Sequence, residues 1–302
     1  MRSARMRLRI RHVTSYSYRQ PVALQPHRLL LMPRSSHEVT ILASSLDCTP
    51  AADLDWTQDV FGNLIVTATF AEPTAELRIF SDVTVEQSAL AWPVFRIAPT
   101  AHAYPFDYAA EEAVDLGALL QPAHPDPGGR LASWARGFVH ESPTDTLSLL
   151  KDINGDLGGR VSYRVRDEAG TQSPLTTLDL ASGSCRDIAA LFVETVRSLG
   201  FAARAVSGYL VDPEASMEDA GSTHAWAEVY LPGAGWITFD PTHRRLGSAN
   251  LIPVAVGRHN EQIMPVTGGY AGAAEDFVGM EVRVSVLPVD QPGSGSNLMM
   301  DR

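Results

Sequence analysis

Cysteine is scarce: Cys48 and Cys185 are the only two in 302 residues, with no C-x-x-C pair and no cluster of zinc-binding character. A disulfide between them would need an oxidising compartment, and the opening stretch MRSARMRLRIRH has no apolar segment of the kind that directs secretion. Both points predict a reducing, cytoplasmic setting. Long hydrophobic runs are missing as well. Nothing approaches the ~18 consecutive apolar residues of a membrane span, so no membrane association is expected. Positive charge is in deficit, with 24 Lys and Arg against 35 Asp and Glu, a net −11 at pH 7. That balance argues against nucleic acid or another polyanion as partner. Ligand spacing is absent too. His27, His37, His102 and His124 stand apart, and the acidic DPEASMED stretch lacks the D-x-D-x-D-G order of a calcium loop. No metal is predicted, and no internal repeat is visible.

What is present reads as a globular chain, 45% hydrophobic and 20% charged, long enough for two domains. Residues 1–95 read as all-β. Arg5, Arg7, Arg9 and Arg11 alternate with Met6, Leu8 and Ile10, which predicts a strand with a solvated basic face rather than a nucleic-acid arm. HEVTILASSLDC and AELRIFSDVTVEQ are rich in β-branched residues, and Gly62 and Asn63 supply hairpin-turn chemistry between DLDWTQD and LIVTATF. Residues 96–127 are dotted with proline and read as a connecting segment over the surface. Residues 128–289 then mix helices and strands. GRLASWARGFVHE and DTLSLLKDINGDLG have helical spacing, GGRVSYRVR alternates as a strand, and DEAGTQSP reads as a loop. The clearest helix follows Cys185: Ile188, Leu191, Phe192, Thr195 and Leu199 form one apolar stripe, and Gly200 stops it. FAARAVSGYLV reads as a strand, 212–222 as an acidic loop, and HAWAEVYLPGAGWITFD as a hairpin. The tail, 290–302, reads as disordered. This order is an α+β layout.

One constellation carries chemistry. The thiolate, not the thiol, is the nucleophile, and free cysteine ionises only near about pH 8.5. A helix N-terminus stabilises the anion through its unpaired N–H groups. Ser184 reads as an N-cap, Asp187 completes an S-x-x-D start as a capping carboxylate, and Cys185 falls at the first helical position. A base and a group to orient it are needed next. If LPGAG is the hairpin turn, Tyr230 faces Trp236, and Asp240 becomes the diagonal neighbour of His224 on the same face, ~7 Å away between β-carbons. The helix of Cys185 is expected to pack on that face. His243, three residues past Asp240, is a competing base, although Pro-Thr takes it off the hairpin. Trp226 and Trp236 either line a groove or belong to the core. Tyr209 reads as packing, and Cys48 as structural.

These residues lie in phrases that resemble the bacterial transglutaminase-like proteins of the papain-like cysteine enzyme superfamily. SGSCRDIAALFVETVRSLGFAARAVSGYL and THAWAEVYLPGAGWITFDPTH are similar to the family's G-x-C-x-D helix, A-R-x-V-S-G-Y strand, H-A-W-x-E and G-W-x-x-F-D-P-T pieces, in order. HVTSYSY, LMPR and DVFGN resemble phrases of the β-rich domain that precedes this core. The resemblance implies an N-terminal antiparallel β-sandwich-like domain followed by a papain-like transglutaminase core. It further implies Cys185 as nucleophile, His224 as general base and acid, Asp240 as orienting carboxylate, and the Cys185 N–H as an oxyanion donor. Tyr163 or Gln172 is expected to add a second donor, and Trp226 to stand on the substrate side. The implied substrate is a peptide or protein carboxamide, with no cofactor. Peptide or amide hydrolysis is the favoured reaction. The alternatives are transfer to an amine and a non-catalytic peptide-binding scaffold. Late in the chain relatives often carry AVGRDYxDV where this sequence reads AVGRHNEQI. His259 and Asn260 thus replace Asp-Tyr, and the substrate contacts of that loop are expected to differ.

Overall fold

The computed structural model describes residues 5–166, 168, 170–211 and 221–289; the expected disordered tail and nearly all of the acidic loop lie outside them. The alternation at the start does make a strand, β1 (Met6–Leu24), with Leu8 and Ile10 buried between exposed arginines. β2 (His27–Leu29), β3 (Val39–Thr49), β4 (Asp53–Gln58), β5 (Leu64–Thr69) and β6 (Thr74–Gln87) follow. β1, β6 and β3 pair antiparallel in one sheet, and β2, β5 and β4 in a second. Leu29, Val66 and Ala68 of the second sheet bury against Leu77 and Ile79 of the first, which makes a sandwich. The basic face is answered by β6: Arg5 lies 3.0 Å from Glu86, and Asp82 takes Arg9 at 2.6 Å and Arg11 at 3.3 Å. Cys48 is half-buried on β3, where burial and the neighbouring Asp47 push its thiol up to about 11.

The second half contributes α1 (Ala110–Leu116), α2 (Arg130–Arg136), α3 (Thr146–Arg160), α4 (Pro174–Leu180) and α5 (Cys185–Ser198), then β7 (Ala203–Leu210), β8 (Ser222–Leu231), β9 (Gly235–Asp240) and β10 (Leu251–Gly257). The sheet order is β9-β8-β7-β10, antiparallel throughout, with residues 245–246 on the β9 edge. α5 is the buried centre of this half. Its Ile188, Leu191, Phe192 and Val196 pack with Leu131 of α2, Leu150, Ile153 and Leu157 of α3, and Ala227, Val229 and Phe239 of the sheet. α4 follows the loop read into DEAGTQSP, in a stretch for which the sequence predicts no element, and is opened by Ser173, which caps the Thr176 N–H, and by Pro174 at the first helical position. One local reading changes. The strand read into GGRVSYRVR shrinks to Ser162–Tyr163, because its partner ladder is only Ser182–Gly183.

The proline-dotted segment is tied down along its length. Tyr104 and Tyr108 donate to the carbonyls of Leu199 and Tyr230 at 3.0 and 2.9 Å. Buried Glu194 on α5 accepts the N–H groups of Ala123 and His124 and pairs with Arg197 at 2.7 Å. The chain end also departs from the expected order. β11 (Phe277–Pro288) pairs with the free side of β1 from Tyr18 back to Leu8, and residues 266–267 and 270–271 pair with β2 and β1. This stretch therefore joins the N-terminal sheets and not the core sheet. An unpaired edge of β1 needs a partner, and the alternating GMEVRVSV supplies one.

One continuous apolar layer joins the halves: Leu8, Ile10, Val83 and Val85 meet Tyr209, Ile252 and Val254. A polar weld sits beside it. Asn63 is fully buried and donates to the carbonyl of Val256 (2.7 Å) and to Asp59 (2.8 Å), while its Oδ1 accepts Val256 N–H (2.9 Å) and Arg34 (2.7 Å). The residue read as an exposed turn position is thus the joint between β10 and the sandwich. Asn63→Ala would strand both Val256 groups and leave Arg34 with only the Phe61 carbonyl from this turn, and is expected to cost about 2–4 kcal/mol in urea unfolding. A loss below about 0.5 kcal/mol would mean that the joint adds nothing to stability.

Candidate active site

The tip of α5 is built by a carboxylate. Ser184 caps the helix in extended geometry, and Asp187 accepts its N–H at 2.8 Å and its hydroxyl at 2.7 Å. Asp187 also takes the Gln172 N–H at 2.8 Å and Arg166 at 2.9 Å on both oxygens. Burial pushes its pKa up, but these donors outweigh it and hold the carboxyl below its ordinary value. Asp187 is therefore the capping carboxylate of α5, and it anchors the preceding loop as well. Gly183 permits this closeness, since a β-carbon there would sit 2.9 Å from that of Asp187. Arg186 pins the same loop through the carbonyls of Gly170 and Glu168, at 2.8 and 2.7 Å.

The hairpin has the expected register: Tyr230 faces Trp236 and Ala227 faces Phe239. His224 and Asp240 meet across it, with Nε2 and Oδ2 3.0 Å apart and both side chains buried. Cys185 and His224 line one small cavity, and the thiol is near enough to help raise the His224 pKa. Because Nε2 faces the carboxylate, Nδ1 is the nitrogen left for sulfur. The expected packing of α5 over the His224 face is corrected here. The helix stripe covers Ala227 and Val229, the alternate residues of β8. Cys185 meets the imidazole at the end of the helix, in a small cavity of about 90 Å³. Burial pushes the His224 pKa down, but the bond to Asp240, then the bond and charge of Cys185, hold it up at about 9. For Asp240, burial acts upward, and the bonds to His224 and His243 prevail and keep it well below the carboxylate range.

Asp240 is a shared acceptor. His243 Nδ1 lies 2.8 Å from the same Oδ2, and the N–H groups of Thr242 and His243 reach Oδ1 at 3.1 and 3.3 Å. His243 does not line the cavity of Cys185, so its reading as a competing base gives way to one as a second partner of Asp240. Among the described residues, ligand atoms of His224, Asp240 and His243 lie within 4.8 Å of one another, a spacing that could hold a metal ion. The same atoms already serve the hydrogen bonds above. A larger cavity, about 850 Å³, opens beside Asp240 between residues 91–95 and 244–251 but contains neither Cys185 nor His224. The chemistry is therefore assigned to the smaller one.

The other sequence candidates divide. Tyr163 pairs with Gly183, two residues before the thiol, and is half-exposed; burial, then the Cys185 charge, raises its phenol pKa and keeps the O–H a donor. Gln172 is corrected: its amide donates to Thr177 and to the Ser182 carbonyl, both at 3.0 Å, so its donors are spent on the loop. Trp226 is corrected too. It is 1% exposed and stacks on the His224 ring, 6.0 Å between centroids, so it backs the imidazole and offers almost no surface for contact. Gly208 faces His224 on β7, and a β-carbon there would lie 2.7 Å from the Trp226 ring and 2.1 Å from the Ile252 carbonyl. Asn260, noticed in the sequence only as a departure, lines the cavity beside Cys185.

Comparison with known proteins bears on the family and the fold. Residues 8–86 match a bacterial transglutaminase-like N-terminal region, and residues 132–241 match the transglutaminase-like superfamily. An uncharacterised protein of Mycobacterium leprae is 26% identical over 288 residues, 93% of this chain and 99% of that one. One of Mycobacterium tuberculosis is 29% identical over 301 residues, 94% of this chain and 93% of that one. Among solved structures, a candidate cysteine protease from Cytophaga hutchinsonii superposes with a TM-score of 0.73 at 21% identity, across 96% of this chain and 94% of that one. At that identity the likeness speaks for the fold.

Proposed function

From the premise that the chain belongs to the transglutaminase-like superfamily, with a bacterial transglutaminase-like N-terminal region ahead of the core, we propose that it is a thiol-dependent acyl-transfer enzyme that hydrolyses amide bonds of peptide or protein substrates in the cytoplasm. The observation that carries this is His224, which shares a small cavity with Cys185 and lies 3.0 Å from buried Asp240. The thiolate of Cys185 attacks the carbonyl carbon, and the carbonyl electrons move onto oxygen. We assign that oxyanion to the Cys185 N–H, on the open first turn of α5, and to the hydroxyl of Tyr163, whose strand partner Gly183 lies two residues before the thiol. His224 gives its proton to the leaving nitrogen, the C–N bond breaks, and a thioester remains. The sulfur has then lost the charge that helps hold His224 near pKa 9, so the imidazole becomes the base that activates water. Water attack releases the acid and restores the thiolate.

Two measurements test this. Iodoacetamide labelling of Cys185 across pH separates an activated thiol, reactive below about pH 7, from one behaving like free cysteine, which would leave a scaffold. A glutamine-containing peptide with a labelled primary amine separates the acceptors. Acid release alone is expected, and incorporation of the amine would mean transfer. The kcat/KM profile is expected to fall on its alkaline side near pH 9, where His224 gives up the proton meant for the leaving group. Full activity at pH 10.5 would remove His224 from that role.

A further inference from the structure

We propose that Asn260 is a specificity-determining residue of the Cys185 cavity, and that its Oδ1 accepts an N–H from the acyl donor, so that the site selects amides over esters. This deepens the reading above and rests on it. Asn260 opens the short turn Asn260–Ile263 after β10 and is 3% exposed. Its Nδ2 donates at 2.7 Å to the carbonyl of Arg186, the residue after the nucleophile, which fixes the plane of the amide. The other end of the same amide, Oδ1, is buried and has no hydrogen-bond partner. Bare buried acceptors are rare, because each forfeits its hydration without return.

Asn260 lines the cavity, and two of its polar neighbours there are already spent, which leaves Thr223 as the other polar side chain of the wall outside the Cys185–His224 pair. Ser207 spends its hydroxyl on the Ile263 carbonyl at 2.7 Å, and the Arg186 guanidinium is occupied by the loop carbonyls of Gly170 and Glu168. The remaining wall includes Ala225, Ile263 and Pro265. An oxygen acceptor is satisfied only by a donor. A carboxamide or peptide N–H is one, whereas an ester of the same shape offers another lone pair. A site that hydrogen-bonds a substrate N–H rejects the analogue lacking it far better than an apolar wall could.

The test needs no natural substrate. Cys185 in the full chain is alkylated at pH 7 with 2-iodo-N-methylacetamide and with methyl iodoacetate, a near-isosteric amide and ester, and adducts are counted on the Cys185 peptide by mass spectrometry. N-acetylcysteine gives the intrinsic amide-to-ester ratio. The protein ratio is expected to exceed that reference by about 3- to 10-fold, the worth of one neutral hydrogen bond. Asn260→Leu, close in size but without the acceptor, should bring it to the reference, and Asn260→Asp, which retains an acceptor oxygen, should keep it raised. A wild-type ratio equal to the reference overturns the proposal, as does a raised ratio that survives Asn260→Leu; either result means that a bound water or nothing meets Oδ1. The absolute rate against pH reports separately on thiol activation. The function can therefore stand while this inference falls, and the two failures are read from different measurements.

Discussion

Cys185→Ala will abolish amide turnover, a loss on the order of 10⁶-fold, as expected when the nucleophile of a mutually dependent triad is removed. Stability should barely move. The side chain is half-buried at the helix tip, and the cap is carried by Ser184 and Asp187. The unfolding midpoint should stay within about 3 °C. The variant also has a signature that a dead enzyme of another design would lack. The hydrogen bond and charge of Cys185 help hold His224 up at about 9. Without them the His224 pKa falls, which NMR titration of the ring would record. The sign for stability follows. A folded pKa above the ordinary 6.5 stabilises fully below about 6.5 and is lost as pH rises through about 9, so in Cys185→Ala the contribution is smaller and its loss is complete at lower pH. Retained turnover, or an unmoved His224 titration, would remove Cys185 from the reaction.

The local chemistry of this site was legible because it lies on two regular elements. An S-x-x-D start and a stripe at helical spacing fixed where α5 begins, and the parity of a tight hairpin fixed Asp240 beside His224. Both depend on periods that a one-residue slip would destroy. How the two elements meet was not legible. The apolar stripe of α5 lies on Ala227, Val229 and Phe239, which sets the thiol at the end of the helix. That depends on long-range packing, which no local period encodes. The same limit explains the rest. Trp226 and Gln172 carry groups fit for substrate, and only the burial of one and the partners of the other assign them to positioning. Asn63 looked like a turn residue because its neighbours make a turn; that its amide reaches Val256, 193 residues away, is tertiary. β11 is given no element from sequence, and nothing in its alternation says that its partner is β1. Asn260 could be noticed as a departure, but its bare oxygen exists only once Arg186 takes the other end of the amide.

Asp240→Asn should lower turnover by roughly 10⁴-fold, through the imidazole rather than through the fold. The carboxylate is completely buried and accepts from both His224 and His243 on one oxygen and from two backbone N–H groups on the other. Asparagine keeps the shape. Its oxygen can serve the backbone pair, which leaves the NH₂ facing both rings. Each ring must then turn an unprotonated nitrogen towards it. For His224 this moves the remaining proton to Nδ1, the side that faces sulfur, where it can no longer accept the thiol proton. The charge that helps hold the imidazolium at about 9 is gone as well. The alkaline side of the kcat/KM profile should therefore move to lower pH while the residual rate drops. In the native chain the depressed Asp240 contributes stability that is full above its ordinary value of 3.8 and lost as pH falls through its lower folded value, so the variant should lose the acid part of the stability profile. The decisive readout is the alkylation of Cys185 at pH 6. If Asp240 acts by orienting and charging His224, labelling slows along with turnover. If labelling is unchanged while turnover falls, the carboxylate acts elsewhere, and the triad reduces to a Cys-His pair with His243 as a further candidate.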